Sequence, residues 1–158
     1  MPGRPFLKLC AVLAPAVITA VVFAADAKSP ADVQKARHEH YEDLGDSFKS
    51  VRDLSRASTP DWVAIEKAAA AVNEASVDQQ RWFPKGSGPE AGKTRALPEI
   101  WSKSAEFTDA QKKFTDAAAK LLAAAQTHDP AALQDAFKST GGACKNCHDT
   151  YREPHKYK

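Results

Sequence analysis

Residues 129–152 read DPAALQDAFKSTGGACKNCHDTYR, and this stretch decides the fold. Asp129-Pro130 is a helix start. Proline's missing N–H costs nothing at the first helical position, and an aspartate oxygen can cap the free amides of the first turn. From there Leu133, Phe137, Thr140, Cys144, Cys147 and Tyr151 recur at steps of 4, 3, 4, 3 and 4, the period of a helix with one buried seam. Three more segments open on an X-Pro pair: Ser29-Pro30, Thr59-Pro60 and Leu97-Pro98. Ser29 and Thr59 offer capping oxygens, whereas the Leu97 start has none. The first segment carries Tyr41, Leu44, Phe48, Val51 and Leu54, and the second carries Trp62, Ile65, Ala69 and Val72. The third carries Ile100, Phe107, Phe114 and Leu121 at a constant step of 7. Seams of this kind pack together in antiparallel bundles. Short connections are expected near residues 56–59 and 126–129, and a longer Gly- and Pro-rich one over 84–97. The fold expected is all-α, an up-down-up-down four-helix bundle.

Composition agrees. The chain of 158 residues is 43% hydrophobic and 27% charged, the balance of a globular domain. Alanine runs at 68–71, 117–119 and 123–125 favour helix over strand. With 22 Lys+Arg against 20 Asp+Glu and no long run of one sign, the chain lacks the clustered cations of a nucleic-acid surface.

Residues 1–24 read as an export signal. Arg4 and Lys8 precede a nearly all-apolar stretch from Leu9 to Ala24, interrupted by Pro15 and too short for a membrane span of about 20 residues. Cleavage is expected after Ala24 or Ala27, leaving a single domain over 28–158 in the periplasm, with no retained membrane span. Cys10 and Met1 leave with the signal. Since Met1 is the one methionine of the chain, the mature protein has no thioether to offer a metal.

Cys144-Lys145-Asn146-Cys147-His148 is a C-x-x-C-H run, the signal for covalent attachment of haem c. Two thiols that add across the vinyl groups of one porphyrin edge must lie a helical turn apart on one face. His148, four residues after Cys144, shares that face and is the expected axial ligand of the iron, with one haem per chain. Three other readings use the same residues. A thiol–disulfide oxidoreductase places C-x-x-C at the start of a helix among strands. A structural zinc site needs a fourth ligand, for which only His155 is near. A plain Cys144–Cys147 disulfide leaves His148 without a role.

The stretches Lys35-Ala36-Arg37, Leu97-Pro98-Glu99-Ile100-Trp101 and Cys144 to Arg152 together make the chain resemble cytochrome c′ over nearly all of its mature length. The resemblance implies a periplasmic haem protein, a homodimer through its first two helices, with a five-coordinate high-spin iron that binds NO and CO on its open side. It also implies that Arg37 and Arg95 lie near the haem propionates and that Arg152 stands beside the proximal histidine. By the same resemblance Tyr41, four residues after Arg37, covers the open face of the iron. No enzymatic activity is expected, and electron exchange with an unidentified periplasmic redox partner is compatible with this reading. The alternative is a six-coordinate low-spin electron carrier in which His40, next to Tyr41, ligates the iron. His38 is the other first-helix imidazole to be placed. Trp62, Trp82 and Trp101 are expected to be packing residues, and His128 to sit in the turn before Asp129.

Overall fold

Ser29 starts the first helix as its sequence implies. Its hydroxyl accepts from the Asp32 amide at 3.2 Å, and the Asp32 carboxylate accepts from the Ser29 amide at 3.2 Å, a reciprocal cap over two otherwise unpaired N–H groups. The computed structural model describes residues 28–154. Within them run α1 (Pro30–Ser55), α2 (Trp62–Asp78), α3 (Glu99–Ser102), α4 (Ser104–Gln126) and α5 (Pro130–Tyr151). The signal segment, its cleavage positions Ala24 and Ala27, Cys10 and His155 lie outside the described residues. Among those described, no helix is long and apolar enough to cross a membrane.

The bundle is made by α1, α2, α4 and α5, with α1 on α2, α2 on α4 and α4 on α5. Its core joins Leu44 and Val51 of α1, Ile65, Ala69 and Val72 of α2, Phe114, Ala118, Leu121 and Ala125 of α4 and Leu133 of α5. Alanines at 69, 118 and 125 let α2 and α4 approach closely. By contrast α1 and α5 meet through long side chains, with Phe48 stacked on Phe137 at 4.1 Å between ring centres. A second cluster, Ile100, Phe107 and Tyr151 with Phe83, Trp101 and Cys147 against it, closes the end of the bundle where α5 finishes.

Two helix starts differ from expectation. Helix α2 begins after Asp61, whose carboxylate accepts from the Ala64 amide at 3.0 Å, so Thr59 is not its cap. The third bundle helix is broken: Lys103, at φ −121° and ψ 50°, separates the single turn α3 from α4. No side chain caps α3. Its turn is tied down instead by Trp101, whose indole N–H reaches the carbonyls of Phe83 and Pro84 at 3.3 and 3.1 Å.

The long connection spans residues 79–98, longer than the 84–97 expected, with 3-10 turns at Gln79–Arg81 and Pro89–Ala91. It is pinned to the end of α5, where Leu97 donates to the Tyr151 carbonyl at 3.0 Å and Glu153 to the Arg95 carbonyl at 2.9 Å. Gly92 is required there: at φ 153° a Cβ would also stand 3.0 Å from the Gln34 amide oxygen. His128 does occupy the α4–α5 turn, at φ 56°, with its ring stacked on Trp62 and its Nε2 2.6 Å from a Glu66 carboxylate oxygen.

The position of the α2 cap can be tested directly. Asp61→Ala should lower stability by about 1 kcal/mol in urea unfolding, whereas Thr59→Ala should change it by no more than a few tenths.

Candidate functional site

Where α1 and α5 stand apart, a cavity of about 870 Å³ opens between them, bounded also by α4 and by the 79–98 connection. That is within the size range of a cofactor pocket. Helical spacing on α5 brings Cys144, Cys147 and His148 to its wall while Lys145 and Asn146 stay exposed. Cys144 packs against the main core and Cys147 against the end cluster, so the two thiols straddle both. They are free cysteines, not a disulfide. Burial and the neighbouring Cys147 push the Cys144 thiol up to about 11, and burial raises Cys147 despite the opposing Arg152 cation. His148 is held below its ordinary value, first by burial and then by Arg152 and Arg95, against a smaller pull from Asp149. Its imidazole is therefore kept neutral, the form that ligates a metal. Among the described residues no group of three or more His, Cys, Asp or Glu side chains gathers to hold a bare metal ion.

All seven residues singled out in the sequence line this one cavity: Arg37, Tyr41, Arg95, Cys144, Cys147, His148 and Arg152. Arg37 and Tyr41 come from α1, on the wall away from the cysteines. Arg95 and Arg152 come from the two strand-like segments that pair where Ala96 bridges Arg152. The Arg95 guanidinium also donates to the Glu153 carbonyl.

Arg37 has a role the sequence did not foretell. Only 5% exposed, it donates to the Trp82 carbonyl at 3.2 Å, the Ser87 hydroxyl at 3.0 Å, the Ser87 carbonyl at 2.9 Å and the Thr94 hydroxyl at 3.3 Å. Its Cζ lies 4.8 Å from the Phe83 ring centre. Both terminal nitrogens are thus spent on the connection, leaving Nε outside these bonds. None of Arg37, Arg95 and Arg152 makes an ion pair among the described residues, so these three cavity-lining cations stand without carboxylate partners.

Tyr41 is half-buried, edge-on against Trp82, with its hydroxyl donating to Gln79 Oε1 at 3.2 Å. Burial above all, with the two cysteines adding to it, holds its phenol well above the ordinary tyrosine value, so it stays protonated at neutral pH. His40 does not line the cavity: its ring stacks on the outer side of the same Trp82 at 4.9 Å. One residue is about 100° on a helix, which accounts for the different outlook of His40 and Tyr41. His38 reaches only the rim, 75% exposed at its side chain and beside Glu42.

Three buried glutamines were not anticipated. Gln34, one heptad before Tyr41, was within reach of periodicity; its amide donates to the Ser87 and Gly88 carbonyls at 3.3 and 2.7 Å. Gln79 and Gln111 carry no such signal, since glutamines at a helix end and on a helix face are ordinarily solvated.

The donor set fits a haem: two thiols and a neutral imidazole on one wall, unpaired cations at the edge, and apolar walls from Leu44, Phe48, Ile100, Phe107 and Phe114. The sequence profile of the cytochrome c′ family matches residues 32–152. Cytochrome c-554 of Cereibacter sphaeroides is 37% identical over 133 residues, covering 82% of this chain and 86% of that protein. A nitric oxide complex of a cytochrome c′ variant from Alcaligenes xylosoxidans superposes with a TM-score of 0.74 at 30% identity, covering 82% of this chain and all of that one. A carbon monoxide-bound variant of the same protein gives 0.72 at 32% identity, with 81% and 98% covered.

Removing the Arg37 clamp should be costly. Arg37→Ala removes all four of its bonds, leaving the Trp82 carbonyl without its donor and the Ser87 carbonyl with Gln34 alone, and should cost about 2–4 kcal/mol, with faster amide exchange confined mainly to residues 82–94. Arg37→Lys, which cannot reproduce the planar fork, should recover little of that stability.

Proposed function

The chain belongs to the cytochrome c′ family, and on that premise we propose that it is an exported c-type haem protein that binds small gases such as NO and CO. The observation that carries this reading is the convergence of Cys144, Cys147 and His148 on one wall of a cavity whose far wall is Tyr41, not a strong ligand. When bound, haem supplies an iron centre that exchanges electrons and takes up diatomic ligands. The protein's residues do the rest. Cys144 and Cys147, one helical turn apart, would tether the porphyrin edge through thioethers. The neutral His148 imidazole would ligate the iron. Arg37 through Nε, together with Arg95, offers charge to the propionates, whose carboxylates need cations or hydrogen bonds once out of water. Arg152 beside His148 disfavours protonation of the imidazole.

On the other wall, Tyr41 excludes water without ligating. A phenol that keeps its proton is a poor ligand, and no methionine remains once Met1 is removed with the signal. The placement of His40 outside the cavity weighs against a histidine sixth ligand. A five-coordinate resting iron is the state these residues support. The exposed Val63 and Val77 on α2, 79% and 53% exposed, are consistent with a homodimer through α1 and α2. Residues 1–24 support a periplasmic location, where a redox partner would be met.

One preparation tests both halves of the reading. Haem should remain with the polypeptide through acidified organic extraction, and haem drawn into the organic layer refutes the attachment. In the ferrous protein, Tyr41→Ala should speed CO binding roughly tenfold, the factor for each 1.4 kcal/mol of ring displacement no longer required. An unchanged rate would mean that Tyr41 does not guard the iron.

A further inference from the structure

Gln79 closes α2, and its backbone is fixed twice over: its carbonyl accepts from the Trp82 amide at 3.1 Å and from the Gln111 side-chain amide at 3.1 Å. Its side chain lines the cavity, 97% of the residue being out of solvent. The Tyr41 hydroxyl donates to Oε1 in this arrangement. Turned over, the amide would offer Nε2 to the phenol oxygen, and the phenol proton would lose its acceptor. Held as it is, Nε2 remains buried with no acceptor at all. Buried amide donors are almost always paired, and one left unpaired in a cavity wall asks what the cavity receives.

The surroundings answer in part. Leu44, Phe48, Val72, Phe83 and Phe114 lie on the same cavity and offer no acceptor; the Gln111 amide nitrogen donates to the Gln79 carbonyl, and Gln111 Oε1 is not within hydrogen-bond reach of Nε2. A ligand that brings its own acceptor would satisfy Nε2. A diatomic gas held end-on at a metal does so, because electron density drawn onto its outer atom makes that atom an acceptor.

We infer that Gln79 is the hydrogen-bond donor to a diatomic ligand bound on the Tyr41 side of the cavity, and that Tyr41 is the positioning residue that aims it. This rests on the reading of that side as the open face of the iron. In this account Tyr41 does two opposed things. Its ring obstructs entry, while its hydroxyl orients the donor that retains a ligand once inside. Tyr41→Ala and Tyr41→Phe therefore separate the two roles.

The test uses the haem-loaded ferrous protein with CO as probe, reading the infrared C–O stretch and the CO dissociation rate. A donor to the outer atom lowers the stretch, so Gln79→Leu should move the band to higher wavenumber and speed CO release about fivefold, the factor one net hydrogen bond carries. Tyr41→Phe keeps the ring and its packing but frees Oε1. It should move the band in the same direction with Gln79 intact, so the inference can be judged even where Gln79→Leu fails to fold. A band that stays put in Tyr41→Phe, or in a folded Gln79→Leu, overturns the inference while leaving the gas-binding reading standing. A wild-type protein that forms no CO adduct overturns both.

Discussion

A guanidinium without a carboxylate partner holds the connection that shapes the cavity. Residues 79–98 form no long regular element and have few backbone hydrogen bonds of their own. Arg37 binds three of their residues, Trp82, Ser87 and Thr94, and Gln34 takes the carbonyls of Ser87 and Gly88. Through these contacts one face of α1 decides where Phe83, Thr94 and Arg95 lie, and hence the outline of the cavity wall. Burying a charge on neutral oxygens and aromatic faces is expensive unless another charge answers it. The cavity beside it, with Arg95 and Arg152 also unpaired, is suited to a cofactor that brings two carboxylates.

The same face of α1 thus serves stability and function together. Gln34, Arg37, Tyr41, Leu44 and Phe48 follow one another at helical spacing and pass from connection, to cavity, to core. Facing them, α5 lays Cys144, Cys147 and His148 along the seam that Leu133, Phe137 and Thr140 begin. Neither helix has to distort to build the site. It arises because α1 and α5, unlike the alanine-lined pair α2 and α4, do not close on one another. On the proposed reading the haem fills the space that their long side chains leave, and the protein supplies a neutral ligand on one side and an apolar, protonated cover on the other.

Much of this was legible in the sequence because it rests on period and spacing. The seams of α1, α4 and α5 and the Ser29 and Asp129 caps follow from local rules, and so does the common face of Cys144, Cys147 and His148. The α2 cap was misplaced by two residues because Thr59-Pro60 and Asp61 are both sound local starts, and in the fold it is the Asp61 carboxylate that takes the Ala64 amide. The break at Lys103 was not legible either: no local signal marks it, and the turn before it is tied by Trp101 to carbonyls 17 and 18 residues away. The Arg37 clamp was hidden for the same reason, its acceptors lying 45 to 57 residues downstream. Gln79 carries no pattern at all. What sequence periodicity gives is which face a residue occupies; which partner waits there is a property of the folded chain.

The central claim is that the iron has one strong protein ligand, His148, and an unligated face under Tyr41. The electron paramagnetic resonance spectrum of the ferric protein, as isolated at neutral pH, tests it most directly. A high-spin signal is the predicted result. A low-spin signal would show a second strong-field ligand and contradict the account, and its loss on His40→Ala would identify that ligand.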